Sequence, residues 1–127
     1  MKMLKDDFYT IPKYSFGSNS AHFVIWLKKE HTLFQAHFPN NPIVPGVYIV
    51  QIGKELFSFL QKKNFIVKNI KNIKFTNPIV PSVHSEVFYK MTWENIDEND
   101  LYHLKIEVSS GNTLFSKISM QLKEFNY

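Results

Sequence analysis

His37 stands in the stretch His37-Phe38-Pro39-Asn40-Asn41-Pro42-Ile43-Val44-Pro45-Gly46-Val47. Pro39, Pro42 and Pro45 stiffen this loop, because each fixes its own φ and restricts the residue before it. The loop ends in Pro-Gly, directly before a long apolar segment with helical spacing. An imidazole is thus placed near a helix N-terminus, whose unpaired N–H groups can receive developing negative charge. That pairing suits removal of a proton next to a carbonyl, with His37 as general base. Farther into the same segment, Gln51 and Glu55 lie one helical turn apart on one face.

The elements that must position these groups are legible from periodicity. Ala21 to Leu27 (AHFVIWL) reads as a strand from its β-branched and aromatic content. The segment Val47 to about Lys63 reads as a helix, with Val47, Val50, Leu56, Phe57 and Leu60 at helical spacings. Ile49, Ile52 and Phe59 widen its apolar surface, as expected of a helix buried within the fold. Gly53 inside it costs about 1 kcal/mol of helix propensity relative to alanine, which predicts close approach of another backbone there. Ile66 to Phe75, Val83 to Trp93, Leu101 to Ser109 and Thr113 to Leu122 read as strands. Breaks fall at Asn77-Pro78 and Pro81-Ser82, and turns at Asn95 to Asp100 and Ser110 to Asn112. One helix wrapped by an antiparallel sheet is an α+β arrangement, and 127 residues suit one domain spanning 1–127.

Composition narrows the function. The chain is 44% hydrophobic and 16% aromatic, with twelve phenylalanines, which excludes a disordered chain. It has no cysteine, so disulfides, iron–sulfur clusters and thiolate zinc sites are excluded. His22, His31, His84 and His103 show no helical i, i+4 pairing and no metalloprotease motif, so no metal or redox cofactor is expected. His84 and His103 fall in predicted strands and read as structural or surface residues. Ser15, Ser18, Ser20, Ser58 and Ser82 lack a nucleophile-elbow setting. Met1 to Phe16 carries no apolar run of signal-peptide length, and no segment reaches the roughly 18 apolar residues of a membrane span. A cytoplasmic protein is expected, with no membrane partner. Net charge is +4, all of it from lysine. Arginine, the usual reader of base edges, is absent and no nucleic-acid motif appears, so no nucleic acid is expected either.

Strand, proline-rich loop, helix and meander in this order resemble the hot-dog fold. The motif itself resembles that of the 3-hydroxyacyl-[acyl-carrier-protein] dehydratases of fatty-acid synthesis (FabZ/FabA type) and their aryl-polyene relatives. The family motif runs His-Phe-Pro-Gly-x-Pro-hydrophobic-x-Pro-Gly-Val; here HFPNNPIVPGV departs only at Asn40, a residue that tolerates left-handed backbone. A second family pattern, Lys-Phe-x-x-Pro-Val-x-Pro-Gly-Asp, is matched by Lys74-Phe75-Thr76-Asn77-Pro78-Ile79-Val80-Pro81-Ser82, with its end drifted. The resemblance covers about residues 20 to 122.

What it implies is a lyase of lipid or polyene synthesis. His37 would remove the α-proton of a 3-hydroxyacyl thioester. An acid on the central helix of the other subunit would protonate the leaving hydroxyl, giving a trans-2-enoyl thioester. The Pro45-Gly46 helix start would polarise the carbonyl, and Phe38, Val47 and Tyr48 would join Pro45 and Gly46 in binding substrate. Phe34, Phe57 and Phe59 are further candidates for an acyl tunnel. The substrate would arrive on the phosphopantetheine of an acyl carrier protein, docked on Lys62, Lys63, Lys68 and Lys71. A homodimer is implied, with a heterodimer or higher oligomer as alternatives.

One departure bears on the chemistry. The family's acid stands five residues after the motif glycine, and Gln51 occupies that position. An amide binds a hydroxyl but is no proton donor at ordinary pH. Glu55, one turn on, is a candidate to supply the proton directly or through a water held by Gln51; the alternative is that it pairs with Lys54 or Lys62, or is solvated. Two other functions compete with the dehydratase. One is an acyl-binding subunit that completes a heterodimeric dehydratase. The other is a hot-dog acyl thioesterase, which also needs a carboxylate at position 51.

Overall fold

The computed structural model describes residues 3–31, 42–96 and 100–125. Among these residues six strands and one helix follow in the order β1 (Tyr9–Phe16), β2 (Ser20–Leu27), α1 (Gly46–Gln61), β3 (Phe65–Phe75), β4 (Glu86–Ile96), β5 (Leu101–Ser110) and β6 (Thr113–Glu124). The strands form one antiparallel sheet in the order β1-β2-β4-β5-β6-β3. Period-two alternation explains its two faces. Ala21, Phe23 and Ile25 of β2, Val87, Tyr89 and Met91 of β4, and Leu104, Ile106 and Val108 of β5 point to one side and are buried. His22, Lys90, Lys105 and Glu107 alternate with them in sequence.

Helix α1 lies on the apolar side and buries Ile49, Val50, Ile52, Gly53, Leu56 and Phe57. Burial of each large side chain contributes about 1.5–3 kcal/mol. Tyr89 adds a tether, donating its hydroxyl to the carbonyl of Ile49 at 2.8 Å. The far end of the helix is held by an aromatic cluster in which Phe57 lies 4.9 Å from Phe65, 5.3 Å from Trp93 and 5.4 Å from Tyr102, ring centre to ring centre. Lys62 closes the helix in the left-handed conformation, φ 57°.

Several expectations need correction. A Cβ on Gly53 would meet the side chain of Ile106, at 2.6 Å from its Cδ1, and not another backbone. G53V is therefore expected to cost about 3 kcal/mol, since the added methyls have no free volume among Ile106, Met120 and Tyr89. Denaturant unfolding checks this, and an unchanged midpoint would contradict it. Val83 and His84 do not open β4. They close a turn, with their N–H groups donated to the carbonyl of Val80 at 2.9 and 2.6 Å. His84 Nδ1 in return accepts the Val80 N–H at 3.1 Å, and its ring packs edge-on against Phe115.

The edges also differ from expectation. Strand β1 has no counterpart in the sequence reading; Pro12 within it is tolerated because β1 is an edge strand. Strand β3, at the other edge, carries two register shifts against β6 that leave Lys68 and Lys71 without paired residues. These bulges interrupt the expected alternation of β3.

Candidate active site

The C-terminal end of the proline-rich loop is built into the fold by the second sequence motif. Val44 is buried and donates its N–H to the carbonyl of buried Ile79 at 3.0 Å. Gly46 faces the ring of Phe75, so a Cβ there would come within 2.7 Å of the ring. Phe75 and Ile79 belong to the stretch Lys74 to Ser82, which therefore seats the stretch that ends at Val47. His37 and Phe38 lie outside the described residues, as does Phe34.

Pro45 is the N-cap of α1, with φ −62° and ψ 145°, and offers no side-chain cap. Its carbonyl accepts the N–H groups of Tyr48 and Ile49 at 3.0 and 3.2 Å. The N–H groups of Gly46 and Val47 have no backbone acceptor among the described residues. No acidic side chain occupies the first turn. Among the described residues the positive end of the helix dipole is thus uncompensated, a setting in which a developing oxyanion is stabilised. Val47 is exposed, and Tyr48 is half-buried with its ring 5.2 Å from that of Phe8.

Gln51 and Glu55 are joined. Gln51 donates Nε2–H to Glu55 Oε2 at 2.7 Å. Glu55 is only 4% exposed. It accepts three more hydrogen bonds, from the backbone N–H of Leu4 to Oε2 at 2.8 Å, from the backbone N–H of Lys5 to Oε1 at 2.9 Å, and from the hydroxyl of Tyr9 to Oε1 at 3.0 Å. Each carboxylate oxygen therefore receives two donors, and a carboxylate offers about four lone-pair sites. Glu55 is neither solvated nor paired with Lys54 or Lys62. It is the acceptor that fastens residues 4–9 across α1 and holds the Gln51 amide. An acceptor filled in this way is poorly placed to hand over a proton. Leu4, Lys5 and Tyr9 were not anticipated as partners; the available signal was a carboxyl embedded among Ile52, Leu56 and Phe57.

Burial raises the Tyr9 hydroxyl far above the ordinary tyrosine range, with the Glu55 charge and hydrogen bond adding to it. Burial alone raises Tyr89 in the same direction. Both phenols stay neutral in the fold while the unfolded chain ionises at about pH 10. Their contribution is complete below that pH and is lost as pH rises above it. Stability is expected to fall at up to about 2.7 kcal/mol per pH unit above pH 10, measured by denaturant midpoints between pH 8 and 11.5. A flat profile would contradict it.

The four lysines expected at a docking surface separate into two groups. Lys62 and Lys63 line a cleft of about 330 Å³ whose wall also includes Lys5, Glu55, Ser58 and Phe59. Lys63 is 3.5 Å from Glu124. Lys68 and Lys71 stand on the bulges of β3. Of the tunnel candidates, Phe57 is fully buried in the aromatic core, and Phe59 is a surface ring beneath Lys5 and beside Tyr14. Phe57 thus serves the core, whereas Phe59 faces the cleft. Of the other described histidines, His31 bonds Asp7 at 3.0 Å and His103 bonds Ser119 at 2.8 Å, and His22 is exposed on β2. Among the described residues no cluster of His, Asp and Glu could hold a metal, and no described helix is long and apolar enough to cross a membrane.

Comparison with known proteins places this arrangement. The family model described as ApeI-like, ApeI dehydratase, matches residues 14–117. A 3-hydroxyacyl-[acyl-carrier-protein] dehydratase FabZ from Wolbachia sp. subsp. Brugia malayi is 38% identical over 58 residues, covering 38% of this chain and 40% of that protein. A FabZ from Fusobacterium nucleatum is 38% identical over 53 residues, covering 38% of each. The chain thus spans about two fifths of the length of the curated relatives it matches. Among solved structures, the dehydratase heterocomplex ApeI:P from Xenorhabdus doucetiae superposes with TM-score 0.69 at 18% identity, over 89% of this chain and 96% of that one. The putative thioesterase yhdA from Lactococcus lactis does so with TM-score 0.67 at 13% identity, over 99% and 100%. These superpositions identify the six-stranded sheet with helix α1 packed on it as a hot-dog fold. With the family model matching across the sheet and the helix start, the chain belongs to the ApeI-like dehydratase family.

Proposed function

We propose that the chain is a hydro-lyase that removes water from 3-hydroxyacyl thioesters carried on phosphopantetheine, giving trans-2-enoyl thioesters. One observation carries this reading. The motif that begins at His37 delivers its Pro45-Gly46 end into an uncapped helix N-terminus, with Gln51 farther along the same helix. His37 takes the proton from carbon 2, and the N–H groups of Gly46 and Val47 receive the charge that develops on the thioester oxygen. The electron pair forms the carbon 2–carbon 3 double bond as the carbon 3–oxygen bond breaks. Gln51 holds the departing hydroxyl. Glu55 is committed to its four donors, so the proton carried by His37 is the one returned to the hydroxyl, which leaves as water. The test is product analysis after incubation with a 3-hydroxyacyl carrier-protein thioester. An enoyl thioester supports the reading. Free thiol would assign the chain to thioester hydrolysis instead.

A second reading is favoured by the same pair of residues. If α1 has no carboxyl free to donate, a partner hot-dog subunit bearing an acid at the matching position can complete the site. The heterocomplex among the structural relatives fits this assembly. A homodimer remains the simpler arrangement, and Lys62, Lys63, Lys68 and Lys71 remain the proposed docking residues for an acidic carrier protein.

A further inference from the structure

The Gln51–Glu55 pair has a consequence for which ligand the site prefers, and it rests on the functional reading above. A glutamine amide has two ends of opposite character, and its orientation is normally free to reverse. Here it is not. Glu55 is buried, and its carboxylate already accepts the Leu4, Lys5 and Tyr9 donors. A carboxylate in that network can take only the NH₂ end of Gln51, and the 2.7 Å contact is made by Nε2. Reversal would set the amide oxygen against Oε2, two acceptors at hydrogen-bond distance. The Gln51 Oε1 is therefore turned away from Glu55, and it has no protein partner among the described residues.

We infer that Glu55 is a positioning residue that locks Gln51 as a hydrogen-bond acceptor, and that this acceptor selects thioesters bearing a 3-hydroxyl over those that lack one. A hydroxyl donates to Oε1, whereas a saturated acyl chain leaves Oε1 desolvated and unmatched. Polar groups aimed at a ligand hydroxyl discriminate in this way because the analogue lacking it strands them. The lock extends to the N-terminal segment, since three of the four donors on Glu55 come from residues 4–9.

The test measures binding of two non-cleavable pantetheine analogues, one 3-hydroxyacyl and one saturated acyl, to purified wild-type protein, E55Q and Q51L. Wild type is expected to prefer the hydroxyacyl analogue by about tenfold. Q51L, which leaves the other three donors on Glu55, is expected to abolish the preference, with the hydroxyacyl analogue weakened and the saturated analogue bound at least as tightly as by wild type. E55Q, kept only if its thermal transition remains cooperative, frees the Gln51 amide to reverse and is expected to reduce the preference to about threefold or less. A role confined to stability would lower both affinities together and leave the ratio intact. Equal binding of the two analogues by wild type, or an unchanged ratio in Q51L or in folded E55Q, overturns the inference alone. Binding of neither analogue by wild type overturns the functional reading and the inference with it.

Discussion

Replacing Glu55 by alanine is expected to destabilise the protein by about 4 kcal/mol, with a fall in Tm on the order of 15 °C. The side chain is almost fully buried and serves two backbone N–H groups, one phenol and one amide. Hydrogen bonds to a charged acceptor contribute about 1.5–3 kcal/mol each. Their sum overstates the effect, because burying the carboxylate itself carries a desolvation cost. What remains after truncation is the cost of stranding those donors in an apolar setting. Since domains of this kind are stable by about 5–15 kcal/mol, the loss is a large fraction of the total. Residues 4–9 should also lose hydrogen-exchange protection, because the carboxylate is their anchor on α1. A variant within 1 kcal/mol of wild type would show that these contacts are not the fastening described.

Removing the imidazole of His37 is expected to slow water loss by about 10²- to 10⁴-fold, the range for general acid–base assistance. The effect should stand near the upper end, because in the proposed reaction the same imidazole first takes the proton and then returns it. Folding should be spared, so a Tm close to wild type is expected beside the lost turnover. A variant that turns over at more than a tenth of the wild-type rate would remove His37 from the reaction.

The fold was readable where side chains answer to a single period. The expected strand Ala21 to Leu27 corresponds to β2 (Ser20–Leu27), and the expected helix from Val47 to α1 (Gly46–Gln61). Legibility failed where tertiary placement overrides local signal. Pro12 conceals β1, which survives because an edge strand can leave one side unpaired. Val83 and His84 have strand-like neighbours, yet Pro81 buries itself and the chain turns back on Val80. In the site, the motif placed the helix start, and spacing set Gln51 and Glu55 on one face of α1. It was silent on what surrounds Glu55, because the partners come from residues 4–9, some fifty positions away in sequence. The carboxyl that was one candidate proton donor accepts four donors from its own chain, and the amide beside it takes its orientation from them.

The link between the two motifs has the same character. Spacing alone could not show why Lys74 to Ser82 accompanies the proline-rich loop. The Val44 to Ile79 hydrogen bond and the seating of Phe75 on Gly46 supply the reason. Together they fix the direction in which the loop enters α1.

The most direct test of dehydration is mass-spectrometric analysis of the purified chain with a 3-hydroxyacyl carrier-protein thioester, wild type beside H37A. The account predicts loss of one water from the acyl group with wild type and none above background with H37A. No water loss with wild type, or equal loss with H37A, would contradict it.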